Sequence, residues 1–349
     1  MKNAYNGFID LVVAGPDFSG TSTQLSTDIF HPDYDNGSII SHLKNKGYTV
    51  RDIRGTEFDA LFHSEEFKNY NKDYMSLKEF LDDTGKSIYG NNPRIMLKDL
   101  DVKHIKSKMF DMIEGLNGYN KLTIASMVRN DRTAYIDPMS ADVWVLEEPT
   151  YRGAGQVVRT VETNRSKFES ETDQNSAALS LQSDRVNEYF RFRKQLRSHR
   201  RIILRSRSEE SALYQIMDAR YIRNGVSKQD FISYPGNKIA FKHPPTHIFI
   251  VCGPENWDKE EYIKLKSERT GRRVQDDFES NIDYQLNINN RYASNWLEEL
   301  YSFAANAYKS TVPKIYRFSI YDSKETIRSK MCEKLDQILK EDFSDKVLD

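Results

Sequence analysis

Six short apolar runs punctuate the chain, each bounded by glycine, proline or charged turns: Ile9–Ala14, Tyr48–Ile53, Asp142–Leu146, Arg201–Leu204, Thr246–Cys252 and Lys314–Ser319. Runs of this length are what strands buried on both faces of a parallel sheet look like. The stretches Ser176–Arg200, Lys259–Ser267, Asp276–Lys309 and Lys324–Lys340 carry the mixed polar and apolar spacing of helices. Strands alternating with helices predict an α/β fold, a doubly wound, mostly parallel sheet with helices on both faces. Ligands bind such sheets at the carboxyl ends of the strands. That places the loops after Ala14, Leu146, Leu204 and Cys252 on one functional edge.

Residues 58–138 break this alternation, being rich in Lys, Asp, Asn, Tyr and Met with helical stretches such as Val102–Leu116. They read as an inserted, mainly helical subdomain or lid, leaving 1–57 and 139–349 as the core. No chemical motif stands out inside the insertion.

Composition narrows the class. The chain has 349 residues and 38% hydrophobic content, enough for an ordinary core. No apolar stretch approaches the ~20 residues of a membrane helix, and the start lacks the pattern of a secretory signal. Two cysteines, Cys252 and Cys332, give neither a disulfide framework nor a zinc pattern and fit a reducing cytoplasm. A net charge of -1 argues against a polyanion partner such as nucleic acid. The basic run from Arg185 to Arg207 is the local exception. Within it Arg193, Lys194 and Arg197 read as a solvated helix face, while Arg185 and Arg207 are reserved for function.

The first functional loop is Gly15-Pro16-Asp17-Phe18-Ser19-Gly20-Thr21-Ser22-Thr23-Gln24. Its spacing fits the phosphate-cradling pattern G-x-x-x-x-G-K-[ST] at both glycines and at Ser22, but Thr21 stands where a lysine should meet the β- and γ-phosphates. Glycines still let backbone N–H groups point at an anion, the following helix adds its dipole, and Ser22 can reach a Mg²⁺. The missing charge-assisted contact is worth roughly 1.5–3 kcal/mol.

Four further constellations fall on or near the same edge. Glu147-Glu148-Pro149-Thr150-Tyr151-Arg152-Gly153-Ala154-Gly155-Gln156-Val157-Val158-Arg159 follows a strand, with carboxylates suited to metal-bound water and arginines suited to phosphate. Leu181-Gln182-Ser183-Asp184-Arg185 lies on a helix. Ser206-Arg207-Ser208-Glu209-Glu210-Ser211-Ala212-Leu213-Tyr214-Gln215 follows another strand. Arg269-Thr270-Gly271-Arg272-Arg273 is a basic loop that can fold over an anion.

The order of these segments from Gly15 to Glu279 resembles the thymidylate kinase family of P-loop nucleoside-monophosphate kinases. That family shows a G-x-D-G-x-G-K-[ST]-T-Q loop, an E-P-T/G segment ending in G-x-x-[IV]-R, an A-D-R helix, a D-R-x-x-x-S turn leading to A-Y-Q, and an Arg-rich lid. The resemblance implies ATP on Gly15, Ser19, Gly20, Thr21, Ser22 and Thr23, with a deoxynucleoside monophosphate opposite. It implies Asp17 and Glu148 as acceptor-side and metal-side carboxylates, with Ser22 and Glu148 serving Mg²⁺. Arg185 is implied to read the base and Arg207 to meet the phosphates, with Arg269, Arg272 and Arg273 as catalytic lid residues. Arg152, Arg159, Leu181, Ser211, Tyr214 and Gln215 complete the implied acceptor site, Tyr214 disfavouring a ribose 2′-hydroxyl. A homodimer is expected by the same analogy.

Three departures stand out: Thr21 for the loop lysine, Ser206 for the aspartate of the D-R pair, and Leu181 for the ring that stacks on the base. The lid arginines can compensate, since an arginine delivered to a transferring phosphate is worth roughly 10³–10⁵ in rate. The expectation is a nucleoside-monophosphate kinase. The alternatives are a nucleotide-binding pseudokinase with a regulatory or assembly role, and a kinase acting on a modified pyrimidine in DNA. A lysine from elsewhere, with Lys2, Lys44 and Lys242 as candidates, would favour the active enzyme.

Overall fold

The structure, a computed structural model, describes residues 7–16, 19, 38–52, 138–150, 181–209, 227–270 and 281–343. The chain divides into two units, Met1–Arg54 with Asp137–Asp349, and Gly55–Ile136. Apart from Pro138, the expected insertion at 58–138 lies outside the described residues.

Among the described residues six strands form one sheet: β1 (Ile9–Ala14), β2 (Val50–Asp52), β3 (Val143–Glu147), β4 (Ile202–Ser206), β5 (His247–Cys252) and β6 (Lys314–Ser319). Every pairing is parallel, in the order β2-β3-β4-β1-β5-β6. The helices are α1 (Ile39–Asn45), α2 (residues 181–198), α3 (Lys228–Ser233), α4 (Pro235–Lys242), α5 (Lys259–Thr270), α6 (Ile282–Ala293), α7 (Trp296–Tyr308) and α8 (Lys324–Phe343). Helix α2 contains a π turn at Tyr189–Arg193 and closes with Lys194–Ser198. This is the doubly wound, parallel α/β architecture that the alternation of strands and helices predicts. The strand sequence steps from β2 through β3 and β4 to the side of β1, then crosses to β5 and β6. The carboxyl end of β1 therefore lies where strand order reverses, the crevice that doubly wound sheets use for ligands.

The period-2 alternation of β1 divides the core in two. Ile9, Leu11 and Val13 join a cluster with Ile39 and Leu43 of α1, Tyr262 of α5, and Ile327, Met331, Leu335 and Ile338 of α8. Val12 and Ala14 join the other, with Phe231 of α3, Phe241 of α4, Ile288 and Tyr292 of α6, and Leu297, Leu300 and Tyr301 of α7. Each fully buried Leu, Ile, Val or Phe contributes about 1.5–3 kcal/mol of transfer free energy. These two layers hold the sheet's carboxyl edge in place.

The expected helix Asp276–Lys309 is two helices, α6 and α7. Arg317 of β6 accounts for the break: its guanidinium donates to the carbonyls of Tyr292 and Ser294 at 2.7 and 2.6 Å and pairs with Glu298 of α7. The carbonyls that end α6 thus find partners outside the helix.

The basic run on α2 also differs from its expected role. Arg193 is 2% exposed, and its Nη2 donates to Asp10 Oδ2 and to the His243 carbonyl, both at 2.9 Å. Arg197 Nη1 donates to the same carboxylate at 3.1 Å and to the His243 and Pro244 carbonyls at 3.0 and 2.9 Å. Only Lys194 of the three is exposed. Asp10 points from a fully buried strand, and a buried charge must be paired. The two arginines, one turn apart on α2, meet that need.

Candidate functional site

Gly15 leaves the end of β1 directly under β5. A Cβ there would stand 2.4 Å from the Val251 carbonyl oxygen and 2.6 Å from Ser19 Oγ, so only glycine permits this approach. Ser19 is turned back by its N–H donating to the Pro16 carbonyl at 3.2 Å. Its hydroxyl is buried without a partner among the described residues. An unpaired buried hydroxyl is unfavourable, and a phosphate oxygen is the kind of group that would satisfy it.

Two neighbouring strand ends close on this loop. The Glu148 N–H, just past β3, donates to the Ser206 carbonyl at 3.0 Å, and the Arg207 N–H, just past β4, donates to the Val13 carbonyl at 3.2 Å. Arg207 has φ 63°, in the left-handed region. For a non-glycine residue that conformation costs about 1–2 kcal/mol, and it persists only where the surroundings over-determine it.

The loop after β3 is knitted to α2. The Thr150 N–H and hydroxyl donate to the two oxygens of Asp184 at 2.8 and 2.6 Å. Arg185, 3% exposed, donates to Glu148 Oε1 and to Asn237 Oδ1. Asn237 in turn donates its N–H to Gln182 Oε1 at 2.8 Å and its amide to the Phe231 carbonyl at 2.9 Å. Glu148 and Arg185, expected in separate roles, thus form one buried pair. Burial pushes the Glu148 carboxyl up, and Arg185 only partly offsets it. A carboxylate left in that balance is sensitive to any charge brought beside it.

A second ionic cluster adjoins this one and was missed as a functional feature. Arg205, 1% exposed, donates from Nε to Asp10 Oδ1 at 2.8 Å and from Nη1 to Glu209 Oε2 at 3.4 Å. The Tyr301 hydroxyl donates to Glu209 Oε1 at 3.3 Å. Burial opposes ionisation of Asp10, but Arg205, Arg193 and Arg197 together outweigh it and hold the carboxyl well below its usual range. Glu209 is likewise lowered, burial being overcome by Arg205 and Arg193. The available signal was an aspartate inside an otherwise apolar six-residue strand, which requires cations from elsewhere in the chain.

Of the other expected site residues, Leu181 is half-buried at the start of α2. Arg269 ends α5, where its guanidinium donates to the carbonyls of Ile320 and Asp322 just past β6. Asp17, Gly20, Thr21, Ser22, Thr23, Arg152, Arg159, Ser211, Tyr214, Gln215, Arg272 and Arg273 lie outside the described residues. Among the described residues no group of three or more His, Cys, Asp and Glu side chains could hold a metal ion, and no helix is long and apolar enough to cross a membrane.

No known protein-family model matches the chain, and no curated protein matches it. Among solved structures it is similar to the crystal structure of thymidylate kinase from Ehrlichia chaffeensis, with 13% identity, 95% of this chain and 99% of that chain covered, and a TM-score of 0.37. Values that low leave the function to be argued from the site itself.

Proposed function

We propose that this protein is a nucleoside-monophosphate kinase of thymidylate kinase type, passing the γ-phosphoryl of ATP to the 5′-phosphate of a pyrimidine deoxynucleotide. The observation that carries the reading is the strand-end loop at the switch point, where Gly15 has no room for a side chain and Ser19 buries an unpartnered hydroxyl. The ordered motifs from Gly15 to Arg273 support it. In-line transfer of this kind rests on positioning and charge neutralisation, with little covalent chemistry. Backbone N–H groups of the loop cradle the phosphates, and Arg207 supplies the charge that Thr21 lacks. Arg152 and Arg159 hold the acceptor phosphate, Asp17 is the acceptor-side carboxylate, and Ser211, Tyr214 and Gln215 line the acceptor's sugar and base. Arg272 and Arg273 close over the donor. Mg²⁺ would take its ligands chiefly from phosphate and water, with Ser22 as the protein hydroxyl. Glu148, already bound to Arg185, does not fit as a direct ligand.

One observation favours the pseudokinase as the second reading. Lys44 lies in the last turn of α1, which leads into β2, and Lys242 ends α4, which leads into β5. Both therefore sit toward the amino edge of a parallel sheet, opposite the phosphate loop, which argues against either as the substitute lysine; the third candidate, Lys2, lies outside the described residues.

The test is product analysis with Mg·ATP and a panel of dTMP, dUMP, dCMP, dGMP and their ribo forms, alongside Arg207→Ala and Thr21→Lys. Diphosphate formation that falls by at least about 10² in Arg207→Ala is the expected result. ATP binding without turnover, with activity gained in Thr21→Lys, would establish the pseudokinase.

A further inference from the structure

The geometry points to Glu209, with Arg205 and Tyr301, as the device that positions Arg207 at the phosphate loop; this inference rests on the kinase reading. The five residues from Arg205 to Glu209 leave β4 and are pinned at both ends. At one end Arg205 is fixed to Asp10, which Arg193 and Arg197 of α2 also grip. At the other, Glu209 is 0% exposed, returns to Arg205, accepts from Tyr301 of α7, and is also bonded by the Ser208 side chain. An ion pair joining the first and last residues of so short a span favours a reversal of the backbone between them. Arg207, the middle residue, absorbs the reversal in its left-handed conformation, with its N–H on the Val13 carbonyl. This is the over-determination that a strained non-glycine residue needs. It also places that residue at the end of β4, beside the end of β1 from which Gly15 and Ser19 turn.

The arrangement makes Glu209 a positioning residue, acting through Arg207, and not a catalytic one. Its carboxylate is wholly engaged and buried, so it has no access to substrate. Asp10 serves the same end from one step further away, anchoring the arginine on which Glu209 closes. The buried ionic cluster thereby acquires a purpose beyond stability: it fixes the direction in which β4 exits at the site.

The experiment is a double-mutant comparison. Glu209→Gln and the gentler Tyr301→Phe are made alone and together with Arg207→Ala. Each protein is assayed for ATP affinity, for kcat and KM with the acceptor found above, and for its unfolding midpoint. Positioning predicts that Glu209→Gln lowers kcat about tenfold with little change in acceptor KM, the scale of one lost charge-assisted contact. In the Arg207→Ala background the same substitution leaves kcat unchanged while lowering the midpoint as it does in the parent. If Glu209→Gln does not fold, Tyr301→Phe carries the comparison with a loss of about threefold. Equal fold-losses in both backgrounds, or full kcat in the single variants, overturn the inference alone. A wild type that binds no ATP, or that binds it and turns over no acceptor, overturns the kinase reading, and this inference falls with it.

Discussion

Two buried carboxylates are met by arginines of the same helix, and they are met differently. Asp10, inside β1, faces Arg193 and Arg197 from α2 and Arg205 from β4, and these three hold it ionised against the effect of burial. Glu148, at the exit of β3, is paired among the described residues with Arg185, and burial keeps its carboxyl raised against the pull of Arg185 and Arg205. The first arrangement is electrostatically settled and the second is not. A settled cluster ties elements together, whereas an unsettled pair responds to a ligand's charge. The contrast separates scaffold from site within a single helix.

Removing the Asp10 charge gives the largest expected effect. Asp10→Asn leaves buried Arg193 and Arg205 and half-buried Arg197 facing a neutral side chain, a loss of about 3–5 kcal/mol of the kind seen when one partner of a buried ion pair is deleted. Glu148→Gln keeps the hydrogen-bonding shape but leaves one buried arginine, Arg185, without its counter-charge, so its cost to stability should be smaller, about 1–3 kcal/mol, while nucleotide affinity drops. Denaturant unfolding of both variants at pH 7 measures the contrast. Equal destabilisation would break it.

Two glycines sharpen the same division at lower cost. At Gly236, which starts α4, a Cβ would meet the Gln182 carbonyl oxygen at 2.5 Å and its Cα at 2.8 Å, forcing the α2–α4 seam apart. Gly236→Ala is expected to cost about 1–3 kcal/mol, as overpacking does. Gly15→Ala crowds Val251 and Ser19 instead and should show its main effect as lost ATP binding. Calorimetric titration with ATP, run beside thermal melts, tells the two apart. Intact ATP affinity in Gly15→Ala would remove the loop from the site.

How much of this was legible beforehand depends on what carried the information. Ile9–Ala14 and Lys314–Ser319 were read at their observed bounds because a short run rich in β-branched, aliphatic or aromatic residues between turns is a local signal. The α1, α3 and α4 helices were not read, although Ser38 and Ser227 cap the first two through the N–H groups of Ser41 and Asp230, and Pro235 opens the third. They are six to eight residues long, too short for periodicity to emerge. At the site, Gly15 follows from the spacing of a contiguous strand-end loop, whereas Ser19, Glu148, Arg185 and Arg207 came from the resemblance of the ordered motifs. The link between Glu148 and Arg185, and the whole Asp10 cluster, join residues 37 and more than 180 positions apart. Pairing at that distance is set by packing, and nothing local in the sequence specifies it.

Glu188 decides where the boundary between the two carboxylates falls. It lies on α2, between Arg185 and Arg193, is 6% exposed, and has Oε1 without a partner among the described residues. Burial pushes its carboxyl up to about 8 from the ordinary 4.5, against the pull of Arg193 and Arg205 and with the repulsion of Glu148 and Asp10. Between those two values the native protein keeps a proton that the unfolded chain has released, so stability falls as pH rises through that window. Glu188→Gln cannot ionise and loses this dependence. Thermal melts should therefore coincide near pH 4.5 and diverge upward, with the variant more stable at pH 8 by a few degrees, on the order of 2–4 °C per kcal/mol. Parallel curves would mean that Glu188 is ionised at neutral pH. The arginines gathered on Asp10 would then be settling this carboxylate too, and the unsettled region would shrink to the Glu148–Arg185 pair.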